Sequence, residues 1–225
     1  FRLSLRDKND KEKYFDNDEM WDKAENELRK VLTELNIPFY EAEGEAAFYG
    51  PKLDVQVKSA IGHDVTLSTC QLDFLLPERF ELTYIDEEGK KVRPVVIHRA
   101  ILGSLDRFIA FLLEETKGAL PLWLAPVQVN IIPVSSEHQL DYAYEVKEIL
   151  EKSGIRVEVD ARNEKLGYRM RESQTKKIPY TLVLGDNEKE NKTVTYRKHG
   201  SSDKETLSID DFKELVLTQI EEKAL

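Results

Sequence analysis

The chain has 225 residues, of which 40% are hydrophobic and 34% are charged, and its formal net charge is −10. This composition excludes an intrinsically disordered protein and argues against indiscriminate nucleic-acid binding, although a local basic site remains compatible with it. No apolar stretch reaches the roughly 18 uninterrupted residues that a membrane span needs. The single cysteine excludes an intrachain disulfide framework, which is typical of a reducing cytoplasm. Because the chain begins without methionine, in what reads as a strand, we expect it to be a fragment.

The first half of the chain reads mainly as strands in succession. In chain order the predicted elements are a helix from Asp16 or Asn17, strands at 53–57 and 65–74, a hairpin of 82–85 with 91–97, and a helix over 102–112. Asp16 and Glu19 make a plausible capping pair for the first helix. This pattern predicts a largely antiparallel sheet with helices outside it.

The second half alternates strand and helix after the Pro121–Pro126 boundary. Its predicted elements are a strand at 127–134, a helix at 137–152, a strand at 155–159, a basic helix at 165–177, strands at 180–184 and 193–197, and a helix at 208–223 capped by Ser208 and Asp211. The last two strands have no predicted helix between them, so we expect a mixed sheet. The predicted domains are residues 1–121 and 122–225.

One window of the second half is clearly cationic. From Arg156 to Lys177 there are seven Lys or Arg residues against four acids. A solvated helix face and a nucleic-acid footprint explain this window about equally well.

The segment Pro94–Phe108 carries the densest chemical pattern. It runs from a β-branched strand into a helix, with His98, Gly103, Ser104 and Arg107 near the junction. Glycine lets a ligand approach the backbone closely, and an arginine offers a fixed fork of donors for phosphate or a flat surface for stacking on a base.

Three segments in a fixed order resemble the rear half of the class II aminoacyl-tRNA synthetases, most closely the threonyl-tRNA synthetase family. They are Glu43–Lys52 (EGEAAFYGPK), Ser68–Phe74 (STCQLDF) and His98–Arg107 (HRAILGSLDR). Trp123–Pro126 (WLAP) and Asp160–Gly167 (DARNEKLG) are similar to the anticodon-binding domain of that family. The resemblance covers essentially the whole chain. It implies an α/β (α+β) architecture in which a partial antiparallel class II catalytic sheet precedes a mixed-sheet α/β anticodon-binding domain.

The resemblance implies that His98 is the third ligand of a zinc ion, with a cysteine and a histidine upstream of Phe1. Such an ion takes the amino group and the β-hydroxyl of threonine together, whereas nearly isosteric valine lacks the second donor. Outside this motif, a lone histidine is more often a packed, helix-capping residue. We do not expect Cys70 to be a ligand, because a buried thiol usually packs as a small apolar group.

The resemblance also implies the residues that bind the other substrates. Arg107 is expected to lie against the adenine and reach the γ-phosphate of ATP, which is used with Mg²⁺, and Lys52 to contact the adenylate phosphate; these two are the predicted catalytic residues. Tyr49, Gln71 and Ser104 are expected to line the threonine pocket. Without the motif, Arg107 would read as a surface partner of Asp106 or Glu114, Tyr49 as a loop aromatic, and Gln71 and Asp73 as an outward strand face.

In the second half, the resemblance implies which side chains read the anticodon. These are Asn163, Lys177, Glu188 and Arg197, with Arg169 and Arg171 serving the RNA backbone nearby. Amide, carboxylate and guanidinium groups suit the exposed edges of unstacked bases. An ordinary charged surface residue is the alternative for each.

The implied reaction makes threonyl-adenylate from threonine and ATP and transfers the threonyl group to tRNA(Thr), in a cytoplasmic homodimer without a membrane partner. The fragment alone is expected to be inactive, because one histidine does not make a three-ligand zinc site. At Val65–Ser68 (VTLS) many threonyl enzymes carry Trp-Gln-Cys-Gly, so the nucleotide contact of that glutamine stays open at Thr66. The competing interpretations are a non-catalytic synthetase-like RNA-binding or regulatory module and, less favoured, a prolyl or glycyl enzyme, in which His98 has no zinc to bind.

Overall fold

The computed structural model describes residues 1–224, and the chain folds as two units that divide between Glu115 and Thr116. The first unit contains β1 (Arg2–Leu5), α1 (Asp18–Glu34), β2 (Tyr40–Glu43), β3 (Lys52–Lys58), β4 (Asp64–Asp73), α2 (Leu75–Arg79), β5 (Tyr84–Ile85), β6 (Lys91–Val92), β7 (Val96–Ala100) and α3 (Leu105–Glu115). The main sheet has the strand order β2-β1-β3-β4-β7. Only its β1–β2 pair is parallel, so the prediction of a largely antiparallel sheet is confirmed.

Two local predictions in this unit need correction. The residue that caps α1 is Asn17 rather than Asp16, because the Oδ1 atom of Asn17 accepts a hydrogen bond from the backbone N–H of Met20 at 3.1 Å. The hairpin is also shorter than predicted, since only β5 and β6 pair with each other. Residues 96–100 pair with β4 instead. Pro94 lies at the break, where it offers no N–H group to continue a ladder.

The most buried residue of β3 is a polar one, contrary to the simple alternation in the sequence. Asp54 is fully buried, whereas its neighbours Leu53 and Val55 are only half-buried. The carboxylate of Asp54 is covered by a set of hydrogen-bond donors that surrounds it. The face of the sheet on which Asp54 lies carries the candidate site.

The second unit contains β8 (Val129–Pro133), α4 (Leu140–Lys152), β9 (Val157–Val159), α5 (Leu166–Thr175), β10 (Tyr180–Leu184), α6 (Asp186–Asn191), β11 (Thr193–Lys198), β12 (Glu205–Ser208) and α7 (Ile209–Glu221). Its sheet has the order β12-β11-β10-β8-β9, with parallel pairs on the β9 side and antiparallel pairs on the β12 side. The predicted mixed sheet is therefore confirmed. The Ser208 cap is confirmed as well, because the Ser208 hydroxyl accepts a hydrogen bond from the backbone N–H of Asp211 at 3.1 Å.

Two short elements of this unit escaped the sequence interpretation. The helix α6 joins β10 to β11, where no helix was predicted, and β12 forms the edge of the sheet. Both segments are short and mostly polar, so neither shows an apolar period. Within residues 1–224, none of the helices has the length and apolar character that crossing a membrane requires.

Candidate active site and RNA-facing unit

Three predicted site residues form a row across one face of the first sheet. In the strand register Lys52 of β3 lies opposite Gln71 of β4, and Gln71 lies opposite His98 of β7. Directly opposed residues of antiparallel strands share a face, with their Cβ atoms about 5 Å apart. Tyr49 joins this row, because its hydroxyl donates a hydrogen bond to Gln71 Oε1 and its ring centroid lies 5.6 Å from that of His98. The fold thus brings together the predicted phosphate-contact residue, two predicted threonine-pocket residues and the predicted metal ligand.

The His98 ring is held by a buried carboxylate. Its Nε2 atom lies 2.8 Å from Oδ2 of Asp73, and the His98 side chain is 41% exposed while that of Asp73 is 1% exposed. An ionised carboxylate only accepts hydrogen bonds, so Nε2–H donates, and in the neutral imidazole the lone pair is on Nδ1. The other Asp73 oxygen accepts hydrogen bonds from the backbone N–H groups of Leu75 and Leu76, at 3.0 and 2.9 Å. The ring is therefore oriented by the start of α2.

Sequence reasoning read Asp73 only as an outward strand residue, and the structure corrects this reading. The available signal was an aspartate two residues before the short helical run of Leu75–Arg79, where a carboxylate can accept hydrogen bonds from free N–H groups. Cys70 has the opposite parity on β4 from Gln71 and Asp73, so its side chain lies on the other face of the sheet.

The donor set of this chain fits only part of a zinc site. Within the part of the chain that the structure describes, no three His, Cys, Asp or Glu side chains are grouped closely enough to hold a metal ion. His98 offers one nitrogen with a fixed orientation, and a structural or catalytic zinc takes at least three protein ligands. No chemical step of this chain alone can therefore depend on a metal held by these residues.

A second buried carboxylate, Asp54, lies beside Lys52. It accepts hydrogen bonds from Lys52 Nζ at 2.7 Å, Thr69 Oγ1 at 2.8 Å, Arg2 Nη2 at 2.9 Å and Ser4 Oγ at 2.9 Å. Burial alone would raise the pKa of Asp54, but these hydrogen bonds, with that from Lys52 foremost, lower it below its ordinary value. Burial also raises the pKa of the Tyr49 phenol, helped by the charge of Asp73. Asp54 is thus ionised and Tyr49 protonated at neutral pH.

The remaining catalytic candidates lie at the start of α3. Gly103 has φ +63°, and a Cβ atom there would come 3.2 Å from the carbonyl oxygen of Leu67, so a side chain at this position would be strained. Ser104 and Arg107 are both exposed. Within residues 1–224, Arg107 forms no ion pair with Asp106 or Glu114, so its interpretation as a surface ion-pair partner is not supported. Neither Ser104 nor Arg107 contacts the row by a hydrogen bond in this described region.

The four candidate base-reading residues of the second unit differ in exposure and in the hydrogen bonds that they already make within the protein. Asn163 is exposed in the loop between β9 and α5. Arg197 has a buried Nε without a hydrogen-bond partner in the described residues. The Lys177 ammonium donates a hydrogen bond to the carbonyl of Lys117. Both carboxylate oxygens of Glu188 are engaged, with the Gly185 N–H at 2.8 Å and the Thr195 hydroxyl at 2.7 Å.

Arg169 is a buried structural residue, which corrects its predicted role at the RNA backbone. It is 2% exposed, and its guanidinium donates to the carbonyl oxygens of Asp160 at 3.0 Å and Val134 at 3.3 Å. These bonds tie the end of β8 to the start of the loop that carries Asn163. Arg171, two residues further along α5, is exposed.

Comparison with known proteins agrees with this arrangement. Residues 2–116 match the family model described as the class II tRNA synthetase core domain (G, H, P, S and T), and residues 128–219 match the anticodon binding domain. A threonine–tRNA ligase from Geobacillus sp. (strain WCH70) is 64% identical over 212 residues, which is 94% of this chain and 33% of that protein. The chain belongs to the threonyl-tRNA synthetase family. A second threonine–tRNA ligase, from Oceanobacillus iheyensis, is 59% identical over 225 residues, which is 100% of this chain and 35% of that protein.

A solved structure of this threonyl-tRNA synthetase family has the same fold. The crystal structure of the RNA binding domain of threonyl-tRNA synthetase from Cryptosporidium parvum Iowa II superposes with a TM-score of 0.86 at 36% identity. The alignment covers 96% of this chain and 54% of that one. The chain spans about a third of the length of the curated threonyl-tRNA synthetases reported above.

Proposed function

We propose that this chain supplies the rear part of the catalytic domain and the anticodon-binding domain of an enzyme that activates threonine with ATP and loads it onto tRNA(Thr). The observation that carries the proposal is the row of Lys52, Gln71 and His98, with Tyr49 beside it. One strand face there offers both a cation for phosphate and polar groups for a small amino acid.

His98 is the zinc ligand of this proposal, with further ligands supplied from outside the described residues. Zinc, when bound, takes the amino group and the β-hydroxyl of threonine and so discriminates against valine. The Asp73–His98 hydrogen bond of 2.8 Å supports this role, because metal-ligating histidines commonly donate their other ring N–H to a carboxylate. The protein's part is to hold the imidazole in the tautomer that leaves Nδ1 unprotonated.

The other residues bind and orient the two substrates. Tyr49 and Gln71 contact threonine, with Ser104 completing the pocket. Lys52 neutralises the phosphate side of the adenylate, and the exposed Arg107 binds ATP, with Mg²⁺ accompanying the nucleotide. Orientation of the threonine carboxylate against the α-phosphate of ATP and neutralisation of phosphate charge account for the rate enhancement, without a covalent enzyme intermediate.

The second unit binds the anticodon of tRNA(Thr) in this proposal. The exposed amide of Asn163 supports it, because an exposed amide can form hydrogen bonds with the edge of a base. The Nε of Arg197 is buried, so the terminal nitrogens of its guanidinium are the atoms proposed to reach RNA. Glu188 and Lys177 have to exchange their intramolecular partners for RNA. A cytoplasmic location, favoured by the free cysteine, and a homodimer complete the proposal.

Threonine-dependent ATP–pyrophosphate exchange by the full-length enzyme that carries this chain tests the proposal. His98→Ala is expected to abolish zinc retention and threonine activation. His63→Ala is the matched control, because His63 is exposed in the turn between β3 and β4. Absence of exchange in the full-length protein, combined with retained tRNA binding, would instead favour the non-catalytic RNA-binding module.

A further inference from the structure

The hydrogen bonds around Asp54 continue into the proposed threonine pocket. Thr69 Oγ1 lies 2.8 Å from Asp54 Oδ1, and Gln71 Nε2 lies 3.2 Å from the same Thr69 oxygen. The carbonyl oxygen of the Gln71 side chain then accepts the hydrogen bond from the Tyr49 hydroxyl. Asp54 is therefore connected to Tyr49 through two intervening side chains.

The charge on Asp54 gives this network one direction. A buried carboxylate only accepts, so the Thr69 hydroxyl donates its proton to Asp54 and its oxygen must accept from Gln71. Gln71 then faces Thr69 with its NH₂ group and Tyr49 with its carbonyl oxygen. The Tyr49 hydroxyl donates its only proton to Gln71, and its oxygen keeps lone pairs that can accept a hydrogen bond from a ligand.

We infer that Asp54 is a positioning residue, which holds Lys52 in place and orients the Thr69–Gln71–Tyr49 network so that Tyr49 presents an acceptor to the amino-acid substrate. This inference rests on the proposed function, because it deepens the assignment of the threonine pocket. An acceptor at this point favours a substrate amino or hydroxyl group, both of which carry protons that they can donate. Reversal of the network would present the Tyr49 proton instead and leave the N–H groups of the substrate without an acceptor.

The geometry separates Asp54 from an ordinary buried ion-pair residue. Arg2 and Ser4 bind Oδ2 together with Lys52, whereas Thr69 alone reaches Oδ1. The two oxygens thus serve different functions, one for the phosphate-contact lysine and one for the pocket. Removing the Thr69 hydroxyl isolates the second function and leaves the first intact.

The experiment measures threonine KM and ATP KM separately, by ATP–pyrophosphate exchange with the full-length enzyme. Thr69→Val is expected to raise the threonine KM about 5- to 10-fold, the effect of one lost hydrogen bond, with the ATP KM unchanged. Asp54→Asn is expected to raise both. The matched control is Glu25→Gln, since Glu25 is also buried in the first unit but binds the backbone N–H of Arg6 outside the network; it is expected to leave both KM values unchanged.

A double-mutant cycle distinguishes orientation from general destabilisation. If Thr69 acts through Tyr49, Thr69→Val adds nothing to the threonine KM of Tyr49→Phe. Additive effects, an unchanged threonine KM in Thr69→Val, or equal rises in both KM values would overturn the inference. If the wild-type enzyme shows no exchange, the proposed function fails. The network is then judged by side-chain amide NMR of the 225-residue chain, where Thr69→Val must shift the Gln71 NH₂ resonances and unchanged resonances refute the inference.

Discussion

Asp73→Asn tests whether the orientation of His98 matters for zinc binding. The asparagine carbonyl can still accept from the backbone N–H groups of Leu75 and Leu76, so the start of α2 keeps both of these hydrogen bonds. The new NH₂ group, however, replaces the carboxylate oxygen that lies 2.8 Å from His98 Nε2. Two donors then face each other, and the imidazole must move its proton to Nδ1. That tautomer has no lone pair left on Nδ1, which is the proposed zinc-binding atom.

The expected loss is specific to the metal. Changing the hydrogen-bond partner of a ligating histidine typically weakens metal binding about 10- to 100-fold, or about 1.4 to 2.8 kcal/mol. The unfolding free energy should fall by only about 1 kcal/mol, because the hydrogen bonds from the N–H groups of Leu75 and Leu76 survive. Competitive zinc titration of the full-length enzyme measures the first quantity, and urea unfolding measures the second.

Asp64→Asn is the matched control for this prediction. Asp64 also belongs to β4, but it forms an exposed ion pair with Lys58 at 2.9 Å, whose loss costs little. Unchanged zinc affinity in Asp73→Asn, together with lost zinc in His98→Ala, would refute the assignment of Nδ1 as the ligand atom.

Three further predictions concern the buried Arg169, the activity of the isolated chain, and the effect of buried carboxylates on acid stability. Arg169→Met should lower the unfolding free energy of the second unit by about 1–3 kcal/mol, because two carbonyl groups lose their donor, whereas the exposed Arg171→Met should change it by less than about 0.5 kcal/mol; equal losses in urea unfolding would contradict the buried role. The 225-residue chain alone should show neither zinc retention nor threonine-dependent ATP–pyrophosphate exchange, and appreciable exchange would mean that the site is complete without further ligands. Two buried carboxylates of the first unit, Asp54 and Glu25, should affect acid stability in opposite directions. The pKa of Asp54 is lowered on folding, so its contribution is present above the unfolded value of about 3.9 and is lost as the pH falls through the folded pKa. The pKa of Glu25 is raised, chiefly by burial, so its ionisation opposes folding as the pH rises above about 4.3; unfolding free energy measured against pH should therefore rise less steeply with pH in Asp54→Asn and decline less in Glu25→Gln.

The strand pattern and the order of the motifs were enough to predict the sheet types of both units. Alternation at 53–57 identified β3 and the run at 65–74 identified β4, whereas the strand before His98 was predicted in a hairpin and not as the partner of β4. The Ser208 cap was predictable because capping is a local interaction between residues three apart.

Side-chain burial was less predictable, because it depends on what lies across the sheet. Asp54 reads as a solvent-facing residue in the alternating pattern of β3, yet donors from β1 and β4 enclose it. Arg169 reads as part of a basic helix surface, but the end of β8 brings the Val134 carbonyl to it. Both outcomes depend on strand order and register, which a single sequence does not encode locally.

The buried carboxylates of Asp73 and Asp54 explain why a polar face of the sheet carries the candidate site. Asp73 binds His98 and Asp54 binds Thr69, the two residues next to Gln71 in the strand register and in the network, and each carboxylate side chain is 1% exposed. Each carboxylate only accepts hydrogen bonds, so a neighbouring side chain must donate its proton to it. That donation fixes where a lone pair remains on the side chains beyond. Asp73 leaves that lone pair on His98 Nδ1, and Asp54 leaves it on the Tyr49 oxygen. In the proposed function the His98 lone pair binds the metal ion, and the Tyr49 oxygen accepts a hydrogen bond from an N–H or O–H group of threonine. An apolar face of the same shape would bind the methyl group but would select poorly against valine.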